Sequence, residues 1–205
     1  MIIDPAEQGT IEWLNARIGI PTASQFHRLI TPKTLTPSAA QDGYLSELLA
    51  EWAVGLPMEG ASSNLMGRGK TLEAEARAWY EFVRGVTVVQ VGLCLRDDRL
   101  AGASPDALIG EDGILEIKSP GAKTHVSHLL GHRDLYTEHR AQIQGALWIT
   151  GRKFADLISY HPTLEPVMVT CPRDEDFIAA LAEIVGAFIE RIRTAKAVLD
   201  ACSHE

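Results

Sequence analysis

The stretch SPDALIGEDGILEIKSP, residues 104–120, sets two carboxylates, Asp106 and Glu116, and one ammonium, Lys118, in segments that otherwise read as sheet. Hard cations such as Mg²⁺ take carboxylate and carbonyl oxygens together with waters. A cation between two acids offsets their repulsion and neutralises charge building on a phosphodiester under attack, while a lysine on the same face stabilises that charge further. The chemistry these residue types suit is phosphodiester hydrolysis. The competing reading is a plain solvated strand face on which Glu116 and Lys118 are neighbours.

Strand alternation places Glu116 and Lys118 on one face and Leu115 and Ile117 on the other. The position of Asp106 depends on the turn. A two-residue Asp112–Gly113 loop sets Asp106 opposite Ser119, facing away from Glu116. A three-residue loop, Glu111 to Gly113 with Gly113 left-handed, pairs Gly110 with Ile114; Asp106 then stands opposite Lys118 and diagonal to Glu116. Only the second keeps the three charges together, and it is the one expected. Pro105 has no N–H to donate, so a strand end or bulge is expected just before Asp106.

Other elements must carry this hairpin. Tyr44, Leu45, Leu48, Leu49 and Trp52 recur at helical spacing until the Gly-Leu-Pro stop at 55–57. A second helix, Thr71 to Arg84, turns Leu72, Ala76, Trp79 and Val83 inward. VTVVQVGLCL reads as one strand, RDDR as a turn, and LAGASPDALIG and ILEIKSP as two more strands. Helices near 124–131 and 137–149, strands in FADLISYHP and EPVMVTCP, and a long final helix with Phe177, Leu181, Ile184, Phe188 and Ile192 on one face complete the chain. TPKTLTPSAA after Ile30 is expected to be a mobile loop. The order predicts a mixed α/β (α+β) fold with helices packed on a central sheet.

The 205 residues, 46% hydrophobic, fit a single domain over 1–205 with a sizeable core. Neither a leader nor a membrane span is evident, and three cysteines without metal-ligand spacing suit a reducing compartment, so a cytoplasmic protein is expected. A net charge of −8 argues against non-specific binding of polyanions over the whole surface. Lys118, Lys123, Arg133, Arg140, Arg152 and Lys153 nonetheless crowd into one window that also holds His125, His128, His132 and His139. This is either a polyanion-facing surface or an ordinary solvated one. The histidines lack a cysteine or carboxylate that would complete a zinc set and are expected at the surface. The four tryptophans are expected in the core, with Trp13 placed where it could also meet a ligand.

The hairpin resembles the core of the lambda exonuclease or YqaJ-like viral recombinase branch of the PD-(D/E)XK nucleases. RIGIPTASQF, MGRGKTLEAEAR and AQIQGALW resemble three further motifs of that family, in the right order. The resemblance implies a restriction-endonuclease-like central mixed β-sheet flanked by helices. It implies a Mg²⁺-dependent enzyme, with Mn²⁺ substituting and two ions per site, that digests one strand of linear double-stranded DNA from 5′ to 3′. The resulting 3′ overhangs would serve recombination with a single-strand annealing protein, and the enzyme would be a homotrimeric ring around the DNA. By the same resemblance Asp106, Glu116 and the backbone carbonyl of Ile117 are metal ligands, with Glu73 the upstream carboxylate near the second metal. Lys118 positions the attacking water and Gln142 supports the site. Arg17, Ser24 and Ser104, with Thr22, form the pocket for a terminal 5′-phosphate. A tyrosine is expected three residues before Gln142 and His139 stands there; Glu75 competes with Glu73. An endonuclease or junction resolvase of the same fold, and a non-catalytic DNA-binding or assembly module, are the alternative functions.

Overall fold

A computed structural model describes residues 1–58 and 63–202, with residues 63–70 described as backbone alone. In chain order the elements are β1 (Ile2–Asp4), α1 (Ile11–Ala16), a 3₁₀ helix (Ala23–Arg28), β2 (Ile30–Thr31), β3 (Thr36–Pro37), α2 (Gln41–Val54) and α3 (Ser63–Arg84). Four short strands follow, β4 (Val88–Val89), β5 (Leu93–Leu95), β6 (Gly102–Ala103) and β7 (Ala107–Ile109). The chain then runs through β8 (Gly113–Lys118), α4 (Ala122–Leu129), α5 (Leu135–Thr150), β9 (Phe154–His161), β10 (Leu164–Pro172) and α6 (Glu175–Cys202). No helix among the described residues is long and apolar enough to cross a membrane.

The main sheet has the order β10-β9-β8-β7-β4, antiparallel throughout except for the parallel pair β8–β9. That parallel step demands a crossover, and α4 with α5 supplies it. β8 is therefore central, and its first five residues are buried. Leu115 and Ile117 pack with Ala76 and Tyr80 of α3 on one side, while Ile114 packs into the larger core with α5 and α6 on the other. Helices on both faces of a mixed sheet are the architecture expected.

Several local expectations differ from what forms. VTVVQVGLCL is split between β4 and β5, which lie in different sheets; a Cβ on Gly92 would stand 2.2 Å from the Ala6 carbonyl oxygen. LAGASPDALIG breaks at Ser104–Asp106 into β6 and β7, the first pairing with β5 and the second with β8. The segment after Ile30 forms the β2–β3 hairpin, not simply a loop. On α3, Ala76 is buried as expected, Tyr80 is buried as well, and Val83 is 51% exposed. β1, antiparallel to β5, had no sequence signal of its own. The window of basic residues is largely spent inside the molecule: Arg133 pairs with Glu138, Arg140 with Asp174, Lys153 with Asp112, and Arg152 donates to the carbonyls of Gly110 and Gly113.

Gly145 shows how closely α5 approaches the 3₁₀ helix. A Cβ there would lie 2.4 Å from the ring of Phe26, which is fully buried. Gly145→Ala is expected to lower stability by about 1–3 kcal/mol through overpacking. Chemical denaturation reads this directly, and an unchanged midpoint would show that the contact yields freely.

Candidate active site

The β7–β8 register sets Ile109 against Gly113 and Ala107 against Leu115. Neither loop considered from the sequence forms: the turn is Gly110–Asp112, and Gly110, not Gly113, takes the left-handed conformation at φ +50°. Gly113 is bare for another reason, since a Cβ would stand 2.4 Å from the Phe154 ring. The pairing thus slips by two residues from the expected one, which preserves the face. Just before β7 begins, the Asp106 N–H donates to the Leu115 carbonyl at 3.0 Å, so Asp106 stands beside Leu115 at the strand end and not opposite Lys118.

The same register would set Pro105 against Ile117. A proline has no N–H, so the ladder gives the Ile117 carbonyl no donor. The Pro105 carbonyl instead accepts from Gln8 Nε2 at 2.8 Å, and the Ile117 N–H donates to Asp106 Oδ2 at 2.5 Å. The sequence Pro-Asp ends the ladder and replaces its last rung with a carboxylate.

Beside it, Lys118 Nζ donates to Glu116 Oε1 and to Gln142 Oε1, both at 2.9 Å, and Gln142 Nε2 donates to Glu116 Oε1 at 2.5 Å. The three side chains close a triangle that joins the end of β8 to α5. Both bonds to Glu116 fall on Oε1; among the described residues Oε2 accepts none. Burial, then the charges of Glu116 and Glu73, push the Asp106 carboxyl well above its ordinary range, against the pull of the Ile117 N–H and Lys118. Burial works against the Lys118 ammonium, but the Glu116 carboxylate overrides it and holds the lysine above its usual range. His139, where a tyrosine was expected, is pushed down to about 4 by burial and then by Lys118, so its imidazole is uncharged at neutral pH.

Glu73, on the face of the sheet covered by α3, pairs with Arg77 at 3.2 Å and reaches Asp106 through its charge. Glu75 is exposed, 3.5 Å from the Tyr160 hydroxyl. Among the described residues no group of three or more His, Cys, Asp or Glu side chains converges as a metal cluster. The arginine-glycine start of MGRGKTLEAEAR, at 66–69, lies outside the described side chains.

A second set of residues meets the first. Thr10 caps α1 by accepting from the Trp13 N–H, which fixes Trp13 and Arg17 on the entry to the following loop. Thr22 bridges Gly102 in parallel and the Gly102 N–H donates to the Pro21 carbonyl, pinning the loop to β6. Ser24 and Ser104, each two residues beyond that bridge, are thereby carried to the same place. Arg17 Nη2 donates to Thr22 Oγ1 at 3.3 Å, Thr22 and Ser24 hydroxyls lie 3.3 Å apart, and Trp13 Nε1 donates to Ser104 Oγ at 3.0 Å. The guanidinium of Arg17 lies 4.3 Å over the Trp13 ring. A cavity of about 190 Å³ is lined by Arg17, Thr22, Ser24 and Ser104 on one side and by Asp106, Glu116 and Gln142 on the other. Gln8, which also lines it, was not singled out from sequence; its hydrogen bonds to the carbonyls of Val91 and Pro105, far along the chain, mark it.

The donor set fits a hard cation. Asp106 and Glu116 line the same cavity, the Ile117 carbonyl lacks a ladder donor, and the crowding of negative charge on Asp106 is what a cation would relieve. A mixed sheet whose central strand presents this acid-and-lysine pair beside a Pro-Asp strand end defines a PD-(D/E)XK nuclease. The chain belongs to the YqaJ-like viral recombinase domain family, whose profile matches residues 12–153. The crystal structure of an alkaline exonuclease from Laribacter hongkongensis is 31% identical with a TM-score of 0.83, over 95% of this chain and 98% of that one. The same enzyme in complex with dAMP matches equally. A phage-related exonuclease from Haemophilus somnus 129PT, 13% identical over 88% of this chain and 96% of that one, shares the fold with a TM-score of 0.68. No curated protein matches the chain.

Proposed function

We propose that the protein is a divalent-metal-dependent exonuclease that degrades one strand of linear double-stranded DNA from a 5′-phosphorylated end, leaving a 3′ overhang. Family membership and the likeness to an alkaline exonuclease support nuclease chemistry. The observation that carries the direction is the shared cavity. The hydroxyls of Thr22, Ser24 and Ser104 and the Arg17 guanidinium suit a terminal phosphate, and they open onto the acidic pair where a bond one nucleotide away would be cut.

Asp106, Glu116 and the Ile117 carbonyl would hold Mg²⁺ or Mn²⁺. When bound, such an ion supplies charge neutralisation at the scissile phosphate and lowers the pKa of water. Glu73 serves a second ion on the same reading. Lys118 is held by Glu116 and Gln142, both of which line the cavity, and on this reading it orients the attacking water and offsets the charge that builds on phosphorus oxygens. Gln142 fixes both partners in that pose. The homotrimeric ring and the single-strand annealing partner belong to this reading and rest on the family resemblance.

The test is digestion of linear duplex with and without a 5′-phosphate, with covalently closed circles as the control. Phosphorylated ends are expected to be consumed only with divalent metal, and circles to persist. Cutting of circles would make the protein an endonuclease. For Arg17→Ala, the preference for phosphorylated over hydroxyl ends is expected to fall on the order of 10- to 100-fold, the weight of a charge-assisted hydrogen bond. An undiminished preference would move the phosphate elsewhere.

A further inference from the structure

Helix α4 carries two histidines that the nuclease reading leaves unused, and both are in the core: His125 is fully buried and His128 is 7% exposed. The sequence placed them at the surface; the alternation of β9 brings Ser159, itself fully buried, between them. Ser159 Oγ lies 2.8 Å from His125 Nδ1 and 3.0 Å from His128 Nδ1. Outward from this centre, His125 Nε2 is 2.9 Å from the Glu165 carbonyl oxygen, and His128 Nε2 is 3.3 Å from Glu138 Oε2.

These contacts form one chain of four links, and each link needs one hydrogen. Both ends are acceptors, a backbone carbonyl and a carboxylate. Two neutral imidazoles bring one N–H each and the serine brings one O–H, three hydrogens in all. The fourth link demands an added proton, whichever tautomers the rings adopt. Glu138 is a poor place for it, because Arg133 Nε donates to its other oxygen and holds the carboxyl below the usual range.

We infer that the fold binds one proton between His125 and His128, and that this proton fastens α4 to β9 and α5. The surrounding charges are Glu138, Arg133, Asp134 and His139 on and before α5, and His161 of β9, whose ring lies 5.8 Å from that of His125. Lys118 is the β8 partner of Ser159 in the parallel register. The latch thus closes the crossover that leads from Lys118 to Gln142, and it is a fastening that does not depend on the nuclease assignment.

Imidazole nitrogen NMR on the full chain at neutral pH tests it. The two rings together are expected to carry three N–H protons, one more than two neutral rings; two plain neutral rings would overturn the inference. Ser159→Ala removes the two central links, so two neutral Nε2–H rings then satisfy both ends and the extra proton is expected to leave. An alanine variant that keeps the third N–H contradicts the inference; should that variant not fold, the wild-type spectrum decides.

Discussion

Asp106→Asn is expected to lower digestion of linear duplex on the order of 10³-fold while duplex binding persists. The substitution keeps the shape of the side chain and its place just before β7, and removes the charge that acts on Glu116. Its second signature is thermal. A cation that binds the folded chain raises stability by about 2.7 kcal/mol at a hundredfold excess over its dissociation constant. The melting temperature of the wild type should climb with added Mg²⁺ or Mn²⁺, and that of the variant should hardly respond. Loss of activity with an intact metal-induced rise would show that Asp106 acts without holding the ion.

Lys118→Ala gives the complementary pattern. The oxygen donors stay, so the metal-induced rise in melting temperature is retained, but turnover falls on the order of 10²-fold. The loss belongs in kcat more than in KM, because the ammonium acts on charge that develops as the bond breaks. Lys118→Arg should not restore the rate: the planar guanidinium cannot occupy the point between Glu116 and Gln142 that the Nζ atom fills at 2.9 Å from each. A fully active alanine variant would reduce Lys118 to a tether for Glu116.

The alternation in ILEIK was enough to read which residues of β8 share a face, because burial on both sides of a central strand leaves little freedom in register. The identity of the turn glycine was not. Gly110 and Gly113 flank the same loop, and what reserves Gly113 is the Phe154 ring, forty-one residues later in the chain and visible only once β9 lies beside β8. The break at Gly92 has the same origin, since the crowding carbonyls belong to the N-terminal segment. His125 and His128 looked like surface residues because helical spacing says which way they point and not what covers them. The residues proposed to hold the terminal phosphate lie up to eighty-seven positions apart, from Arg17 to Ser104, and spacing alone joins none of them; the motif resemblance did so, and the bridge from Thr22 to Gly102 is the physical reason they meet.

The order β10-β9-β8-β7-β4 has a consequence for how the protein can vary. Glu116 and Lys118 belong to the innermost strand, so any local opening that released them would dismantle the hydrogen-bonded framework on both flanks. Arg17 caps the six-residue α1, Ser24 lies on a 3₁₀ segment, and Ser104 follows a two-residue strand. On the proposed function, cleavage chemistry is thereby locked to global integrity, while end selectivity can be retuned at the periphery without loosening the architecture.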